Sequence, residues 1–385
     1  MIDGIVENSR CTGCSACSNV CPQKCIDMIE DKEGFRQPKV IKEKCIKCKK
    51  CIKTCPVLNT SKSTQSFEKV FAAYSKDENN RLNSSSGGCF GEFAKFIIQN
   101  NGAIFGVGYD KEFNVIHKCV EKIEEIDEIK GSKYVQSYIG NSYIKTKELL
   151  EKNKVVLFSG TPCQIVGLKN MLGKDYENLY TIDIICHGVP SQKAFNKYLE
   201  EIGNKGEKIE SVNFRDKTYG WKKFGMKIEK EYSSRIISKE KSEYMKAFLN
   251  NICLRESCYN CTFKGNNIKS DITLGDFWGI DNIIPEFNDD KGASILLVHT
   301  QKGMNLVEKC KENLKLSEDL EIKDLVKYNP CIEKSVKRPI QRDNFYENIE
   351  NLNFKNLVRK NLPKRSLIKK IINKIILILK NGKVK

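Results

Sequence analysis

Cys11-Thr-Gly-Cys14-Ser-Ala-Cys17-Ser-Asn-Val-Cys21-Pro22 is answered by Cys45-Ile-Lys-Cys48-Lys-Lys-Cys51-Ile-Lys-Thr-Cys55-Pro56. Each run spells C-x2-C-x2-C-x3-C-P, a spacing that wraps a cubane iron–sulfur cluster. The first three thiolates of a run lie on one tight loop and reach three corners of one cube. The fourth, carried into a following helical turn, points away and ligates the cube of the other run. The spacing therefore assigns one [4Fe–4S] cluster to Cys11, Cys14, Cys17 and Cys55, and a second to Cys45, Cys48, Cys51 and Cys21. The proline after each fourth cysteine ends the loop, and its missing N–H suits the first turn of a helix. Zinc prefers paired C-x2-C knuckles with four ligands per ion, not two identical four-cysteine runs. Disulfides would need an oxidising compartment, for which nothing in the chain speaks.

At 385 residues the chain has length for two or three domains and a real core. Eight of its 18 cysteines belong to the two runs. The first residues, Met-Ile-Asp-Gly-Ile-Val-Glu-Asn, show neither a basic n-region nor an apolar h-region, so no signal peptide is expected. A cytoplasmic, reducing and anaerobic setting is the expectation. The formal charge of +17 suggests a nucleic-acid binder until it is located. No acidic residue follows Glu350, whereas Lys355 to Lys385 carry eleven Lys or Arg, leaving the rest of the chain at only +6. Each oxidised cluster with its thiolates adds roughly −2, which brings that body near neutrality. No nucleic-acid module is recognisable, and no nucleic-acid partner is expected.

Past the cysteine runs, the Ser/Thr-rich residues 57–69 read as a linker. Val70 to Ser75 reads as a strand. The loop Ser84-Ser85-Ser86-Gly87-Gly88 precedes a helix whose Phe90, Phe93, Ala94, Ile97 and Ile98 share one face, with Gly102 as its cap. Free N–H groups at such a helix start can hold a phosphate. Ala103 to Tyr109 and Asn114 to Val120 alternate as paired strands, and a Lys/Glu-rich helix starts near Ser142. Then βαβ character appears. Lys154 to Phe158 is a short buried strand, Thr161 an N-cap and Pro162 a first helical residue, with the helix running to Leu172. Tyr180 to Ile185 is a second buried strand, ending at Cys186-His187-Gly188-Val189-Pro190-Ser191 before another helix. Both loops fall at the carboxyl edge of a sheet, where α/β proteins bind ligands. A strand around Val212 leads to Phe214-Arg215-Asp216-Lys217. Another strand spans Ala293 to His299, with a helix from about Lys302. Residues 364–385 read as an amphipathic basic helix with Ile368, Ile371, Ile372, Ile375, Ile376 and Leu379 on one face. It is too short and interrupted to span a bilayer; peripheral contact with an anionic membrane and packing on protein are its two readings.

Six motifs in this order resemble the beta subunit family of coenzyme F420 hydrogenases and dehydrogenases, whose bacterial relatives carry a two-cluster ferredoxin domain. They are Ser85-Ser86-Gly87-Gly88, Gly131-Ser132-Lys133-Tyr134-Val135-Gln136-Ser137, Gly160-Thr161-Pro162-Cys163-Gln164, Cys186-His187-Gly188-Val189-Pro190-Ser191, Cys258-x2-Cys261 and Ser270-Asp271-Ile-x2-Gly275-Asp276-Phe277-Trp278-Gly279. The resemblance covers roughly residues 1–340. It implies a ferredoxin-like two-cluster module followed by a mixed α/β flavin-binding domain with βαβ units, an α+β and α/β combination. The expected segments are the ferredoxin domain 1–60, a linker 61–69, an FAD-binding part 70–150, a second domain 151–340 and the tail 341–385. The resemblance implies FAD at Ser85, Ser86, Gly87, Gly88, Ser132, Lys133, Tyr134, Gln136, Ser137, Thr161, Pro162, Cys163 and Gln164. It also implies a third [4Fe–4S] cluster on Cys253, Cys258 and Cys261, with Cys186 favoured over Cys163 as fourth ligand. Cys25, Cys89, Cys119, Cys310 and Cys331 read as small apolar residues.

A flavin exchanges electrons singly or in pairs and a cubane only singly, so the combination converts between the two. The expectation is an oxidoreductase passing electrons between ferredoxin-type clusters and FAD, with a hydride carrier such as the deazaflavin coenzyme F420, or a small organic substrate, at the flavin. A ferredoxin or similar protein is the expected redox partner. His187 is the candidate to steer a proton, with a structural hydrogen-bonding role as its alternative. A ferredoxin-dependent reductase of surface-polysaccharide biosynthesis and a non-catalytic electron-transfer subunit are the alternative functions.

Overall fold

The computed structural model describes residues 2–7, 9–59, 69–203 and 207–363. The linker expected over 61–69, save Lys69, and the basic helix expected over 364–385 lie outside these residues.

Both cysteine runs fold alike. Left-handed backbone at Gly13 (φ 67°) and Ser15 (φ 60°) in the first run recurs at Lys47 (φ 55°) and Lys49 (φ 61°) in the second. Such alternation turns successive N–H groups toward the inside of the loop, forming an anion-holding nest. The short helices Ala16–Asn19 and Lys50–Thr54 carry Cys17 and Cys51 and stop before Cys21 and Cys55. Pro22 and Pro56, expected in a first helical turn, instead follow the helix ends and open turns. A hairpin of Ile26–Glu30 and Arg36–Val40 separates the runs. Its turn is fixed by Asp31, whose carboxylate accepts from the N–H groups of Glu33 and Phe35, each at 2.9 Å.

Among the described residues the largest sheet has eight strands. Its order is Leu314–Leu316, Lys69–Ser75, Ser294–Val298, Ile272–Asp276, Leu179–Ile184, Val156–Gly160, Ala103–Tyr109 and Val115–Val120. The four central neighbours from Ile272–Asp276 to Ala103–Tyr109 are parallel, and the flanking pairs are antiparallel. The fold is thus α/β with one mixed sheet. Segments before and after residue 150 share it: Lys69–Ser75 pairs with Ser294–Val298. Val156–Gly160 reads Val-Leu-Phe-Ser-Gly and is buried along most of its length, as a helix-covered parallel strand must be. The helix Pro162–Leu172 that follows has a capping box between Thr161 and Gln164, Pro162 in its first turn and left-handed Gly173 (φ 70°) at its end. The helix Cys89–Gln99 begins after left-handed Gly88 (φ 85°). The capping role expected of Gly102 is taken by Asn101 (φ 57°). A separate antiparallel sheet of Ile209–Asp216, Gly225–Lys230 and Ser233–Ser238 packs an aromatic core that includes Phe195, Phe214, Tyr244 and Phe248. No helix among the described residues is long and apolar enough to cross a membrane.

A polar network lies inside the large sheet. Thr273 Oγ1 donates to Asp183 Oδ1 and lies 2.8 Å from His299 Nε2. Asp271 accepts from Thr181 N–H (2.8 Å), Thr181 Oγ1 (2.6 Å) and Thr300 Oγ1 (2.8 Å). Burial pushes the Asp183 carboxyl up to about 7 against the opposing influence of Thr273, Ser270 and Lys169, and Asp271 adds to the rise. Burial also pushes His299 down to about 4. Unfolded Asp183 loses its proton near pH 4, so between about 4 and 7 the native state binds the extra proton. The stability carried by the neutral carboxyl is complete below about pH 4 and is lost as pH rises through about 7. Asp183→Asn is therefore expected to gain on the wild type by about 1.4 kcal/mol per pH unit at most across that window. Urea unfolding at pH 5, 6, 7 and 8 measures it; a difference that does not vary with pH would mean Asp183 is ionised in the native protein.

Candidate iron–sulfur and cofactor site

Cys21, Cys45, Cys48 and Cys51 line one cavity of ≈ 30 Å³, together with Pro22 and Cys25. Cys21 and Cys25 stand 3.4 Å apart at their sulfurs, so Cys25, read as an apolar residue, belongs to this ring's wall. Among the described residues no three His, Cys, Asp or Glu side chains converge as ligands of a single bare ion. The second set is deeper. Burial pushes the Cys14 thiol up to about 12, and Cys11 and Cys55 beside it add to the rise. Cys17 is raised by burial too, with Cys14, Cys11, Cys55 and Cys51 adding. The fourth cysteine of the second run thus stands with the first three of the other. The backbone of this arrangement is strained: a non-glycine residue in left-handed conformation costs roughly 1–2 kcal/mol, and Ser15, Lys47 and Lys49 all adopt it.

A third set forms at the carboxyl edge of the large sheet. Burial raises Cys163, and Cys261, Cys14 and Cys258 nearby add to it. Cys186 is pushed up to about 12 by burial, with Lys264 opposing and Cys163 and Cys261 adding. Cys258 rises to about 12 by burial, with Cys186 and Cys261 contributing. Cys163 and Cys186, weighed as alternatives for one position, are therefore both present beside Cys258 and Cys261. Cys331 faces Cys261 as well. Cys253 lies elsewhere, fully buried in the aromatic core, its carbonyl accepting from Tyr346 Oη at 2.7 Å. Cys258 packs partly against the same core, but it has Cys186 and Cys261 beside its sulfur.

Arg255 ties the cysteine module to the body. Its Nε donates to Cys11 O (2.7 Å), Nη1 to Gln136 Oε1 (2.9 Å), and Nη2 to Arg36 O (3.0 Å) and Gln37 Oε1 (2.9 Å). Gln136 completes the clamp by donating through Nε2 to Thr12 O at 2.8 Å. A Cβ on Gly13 would sit 2.7 Å from Gln136 Nε2 and 2.8 Å from Arg255 Nη1, so any side chain there would displace the clamp. The first run also approaches the helix Pro162–Leu172: a Cβ on Gly167 would lie 3.2 Å from Cys14 Sγ.

The other motifs converge around the same edge. Ser132 N–H donates to Ser85 Oγ at 2.6 Å, joining the serine–glycine loop to the 131–137 stretch. Ser86 Oγ donates to Ala293 O (2.7 Å), and Gly87 N–H donates to Ser294 Oγ (2.9 Å). A Cβ on Gly87 would meet Ala73 O at 2.3 Å, and Gly88 has a left-handed φ; both glycines are required by the backbone. Tyr134 stacks on Phe248 and accepts at Oη from Arg215, whose guanidinium grips Asp276 with two bonds of 2.7 and 2.9 Å. Ser137 accepts at both O and Oγ from Gln164 Nε2, so the 131–137 and 161–164 motifs are one hydrogen-bonded unit. Thr161 Oγ1 lies 3.2 Å from Cys163 Sγ, and Pro162 lines the small cavity between Cys186, Lys264 and Thr273.

Two lysines near this unit are held by carbonyls. Lys133 Nζ donates to Lys130 O at 2.7 Å, and loss of water drives it down to about 7, with Lys118 adding. Lys217 Nζ donates to the carbonyls of Ser86, Arg81 and Lys291 and is likewise pushed down to about 7, burial being the main cause. Sequence reading gave no role to Lys217 or Arg255; a lysine two residues beyond an arginine at a strand end, and an arginine inside a cysteine motif, were the available signals. His187 Nε2 is 2.6 Å from Asn251 Oδ1, and Nδ1 is 3.8 Å from Cys331 Sγ, so both ring nitrogens are engaged. His117 Nε2 lies 3.0 Å from Ser159 O while its buried Nδ1 has no partner among the described residues.

Residues 153–323 match the family model for the C terminus of the coenzyme F420 hydrogenase/dehydrogenase beta subunit, and residues 10–59 match a 4Fe-4S dicluster domain. The first run, the second run and the C-terminal motifs thus fall within segments of the types that the motifs resemble. The chain is 26% identical over 373 residues to a coenzyme F420-dependent sulfite reductase of Methanocaldococcus jannaschii, covering 92% of this chain and 53% of that protein. It is 39% identical over 57 residues to a polyferredoxin-like protein of the same organism, covering 13% of this chain and 34% of that one. The chain therefore spans about half the length of the first relative and a third of the second. A chain of the F420-reducing [NiFe] hydrogenase complex from Methanosarcina barkeri aligns in space with a TM-score of 0.46 and 16% identity, over 71% of this chain and 97% of that one.

Arg255→Lys keeps the charge but cannot reproduce four directed bonds from a planar fork. It is expected to cost about 2–4 kcal/mol of stability, because buried carbonyls lose their donors. Chemical unfolding of the iron-loaded protein measures this, and a loss below about 0.5 kcal/mol would mean the clamp does not hold the module.

Proposed function

We propose that the chain is an iron–sulfur flavoprotein oxidoreductase in which three cysteine rings lead from the surface to an FAD site at the carboxyl edge of the large sheet. The observation that carries the reading is the succession of rings. Cys48 is the one exposed cysteine, the ring of Cys11, Cys14, Cys17 and Cys55 is largely buried behind it, and the helix that carries Cys163 passes against Cys14 at Gly167. The thiolate sets suit iron–sulfur clusters: four sulfurs apiece, loops whose N–H groups turn inward, and a sulfur-lined gap. The ligands of the third cluster in this proposal are Cys163, Cys186, Cys258 and Cys261, with Cys253 a core residue.

When bound, a flavin exchanges one electron or a hydride, and a cubane exchanges one electron. The residues do the rest. Lys133 and the Ser85–Gly88 loop at a helix start offer a place for a pyrophosphate, while Lys217 holds that loop in place through Ser86 O. Ser132, Tyr134, Gln136, Ser137 and Thr161–Gln164 form the polar wall beside it, held rigid by the Gln164–Ser137 bonds. His187 positions the Cys186–Pro190 loop through Asn251 and Cys331. By likeness to the sulfite reductase relative, the hydride carrier at the flavin is the deazaflavin coenzyme F420, and a one-electron protein carrier meets the outer ring.

Anaerobically prepared protein is expected to hold about twelve irons, about twelve acid-labile sulfides and about one flavin per chain. Replacing Cys163, Cys186, Cys258 or Cys261 singly by serine should lower iron to about eight, whereas Cys253→Ser and Cys331→Ser should leave it unchanged. Loss of iron in Cys253→Ser with none in Cys163→Ser would overturn the third ligand set, and a colourless protein holding only zinc would overturn the function.

A further inference from the structure

The two cysteine runs share one fold and differ in what they show to solvent, which makes each a control for the other. Residues Lys42 to Lys53 carry six lysines against one glutamate, and all seven side chains are exposed. Lys24 from the first run's end is exposed beside the same cavity wall, and Ile46 is 60% exposed. At the matching places in the first run stand Thr12 for Ile46, Gly13 for Lys47, Ser15 for Lys49, Ala16 for Lys50 and Asn19 for Lys53.

Lys47 and Lys49 hold the same left-handed backbone as Gly13 and Ser15. Glycine would relieve that strain at position 47 as it does at position 13, so the lysine persists for its side chain. Compensation of cluster charge does not explain it. The ring around Cys14, in lower dielectric, is served by Arg255 on Cys11 O and Arg10 beside Cys55 and has no lysine on its loop, whereas the loop around well-hydrated Cys48 carries several. The feature that separates the two loops is access: Cys48 is the exposed cysteine, and Cys14 is buried.

Resting on the function proposed above, we infer that the lysine rim around Cys48, with Ile46 at its centre, is the docking face for an acidic one-electron carrier protein of the small ferredoxin kind. A positive rim around an apolar contact steers an acidic partner and lets it seat closely. One electron crosses per encounter: the carrier is oxidised by one electron as the centre held by Cys21, Cys45, Cys48 and Cys51 is reduced by one, or the reverse. No bond is made or broken and no proton moves.

The test uses the full chain, loaded with iron and kept anaerobic, and a small acidic bacterial ferredoxin as probe. Stopped-flow absorbance follows electron exchange in whichever direction the potentials allow, at several salt concentrations. The wild-type rate constant should fall steeply with ionic strength. The combined variant Lys47→Gln, Lys49→Gln, Lys50→Gln and Lys53→Gln should exchange about tenfold more slowly at low salt, with a flattened salt dependence. Its iron content and its reduction by methyl viologen radical should match the wild type. A fully iron-loaded chain whose exchange with ferredoxin ignores both salt and substitution overturns this proposal alone. So does a variant that loses only its sedimentation with phosphatidylglycerol vesicles, since the rim would then meet a membrane. A chain that never holds iron defeats the functional reading first and this one with it.

Discussion

The guanidinium of Arg255 is the most deeply shared tie between the cysteine module and the sheet-bearing body, which Asn19 and Asn170 join at other points. It is 2% exposed and gives its donors to oxygens from the first cysteine loop, the hairpin and Gln136. A buried cation is tolerated only when its donors are satisfied, and here two backbone carbonyls and two side-chain amide oxygens satisfy them. The consequence is geometric. Gly13, Thr12 and Cys11 are pinned to the same fork whose chain neighbours lead to Cys258, so the spacing between the first ring and the third is fixed by bonds, not by linker length. A second fork repeats the device further out. Arg342 grips the Glu33 carboxylate of the hairpin turn and donates through Nε to Leu254 O at 3.0 Å. Gly34 packs where a Cβ would overlap Lys193, so the turn itself is moulded to the helix Gln192–Ile202.

The cysteine runs were legible because their chemistry is local: loop, ligand and helix start are set within twelve residues. The βαβ units were legible for the same reason, since a buried strand, a Thr-Pro cap and a helix follow one another without interruption. What the sequence hid is non-local. Nothing near Val70 announces that its strand pairs with Ser294–Val298, and only that pairing makes one sheet of the chain on both sides of residue 150. The strand Ile272–Asp276 reads as a motif and not as a strand, because Gly275 and Asp276, residue types that strands avoid, fill its last two positions.

Cys253 shows the same limit at a single side chain. Its spacing to Cys258 and Cys261 suggests a ligand run, but the four intervening residues leave that sulfur in the core with Tyr244, Tyr346 and Phe248. Cys163, in the first turn of its helix, and Cys186, in its loop, have no spacing signature with the pair at 258 and 261. They meet it because adjacent parallel strands, Val156–Gly160 and Leu179–Ile184, end side by side. Sheet register, not sequence distance, gathers that set.

The same register explains where the charges sit. Lys264, 8% exposed, donates to Cys186 O and Cys331 O and pairs with no carboxylate among the described residues; Arg255 is in the same position. Two buried cations without anions would be a poor arrangement for a protein whose sulfurs stayed neutral. Both stand against the third ring, Lys264 lowering Cys186 and Cys261, and Arg255 lowering Cys258. Thiolates bound to iron would supply the missing counter-charge in a region where interactions between charges are weakly screened. The outer ring needs no such partner within the fold because water reaches Cys48. Its lysines face outward, so the two rings differ in solvation: one stands among buried cations and the other among exposed ones.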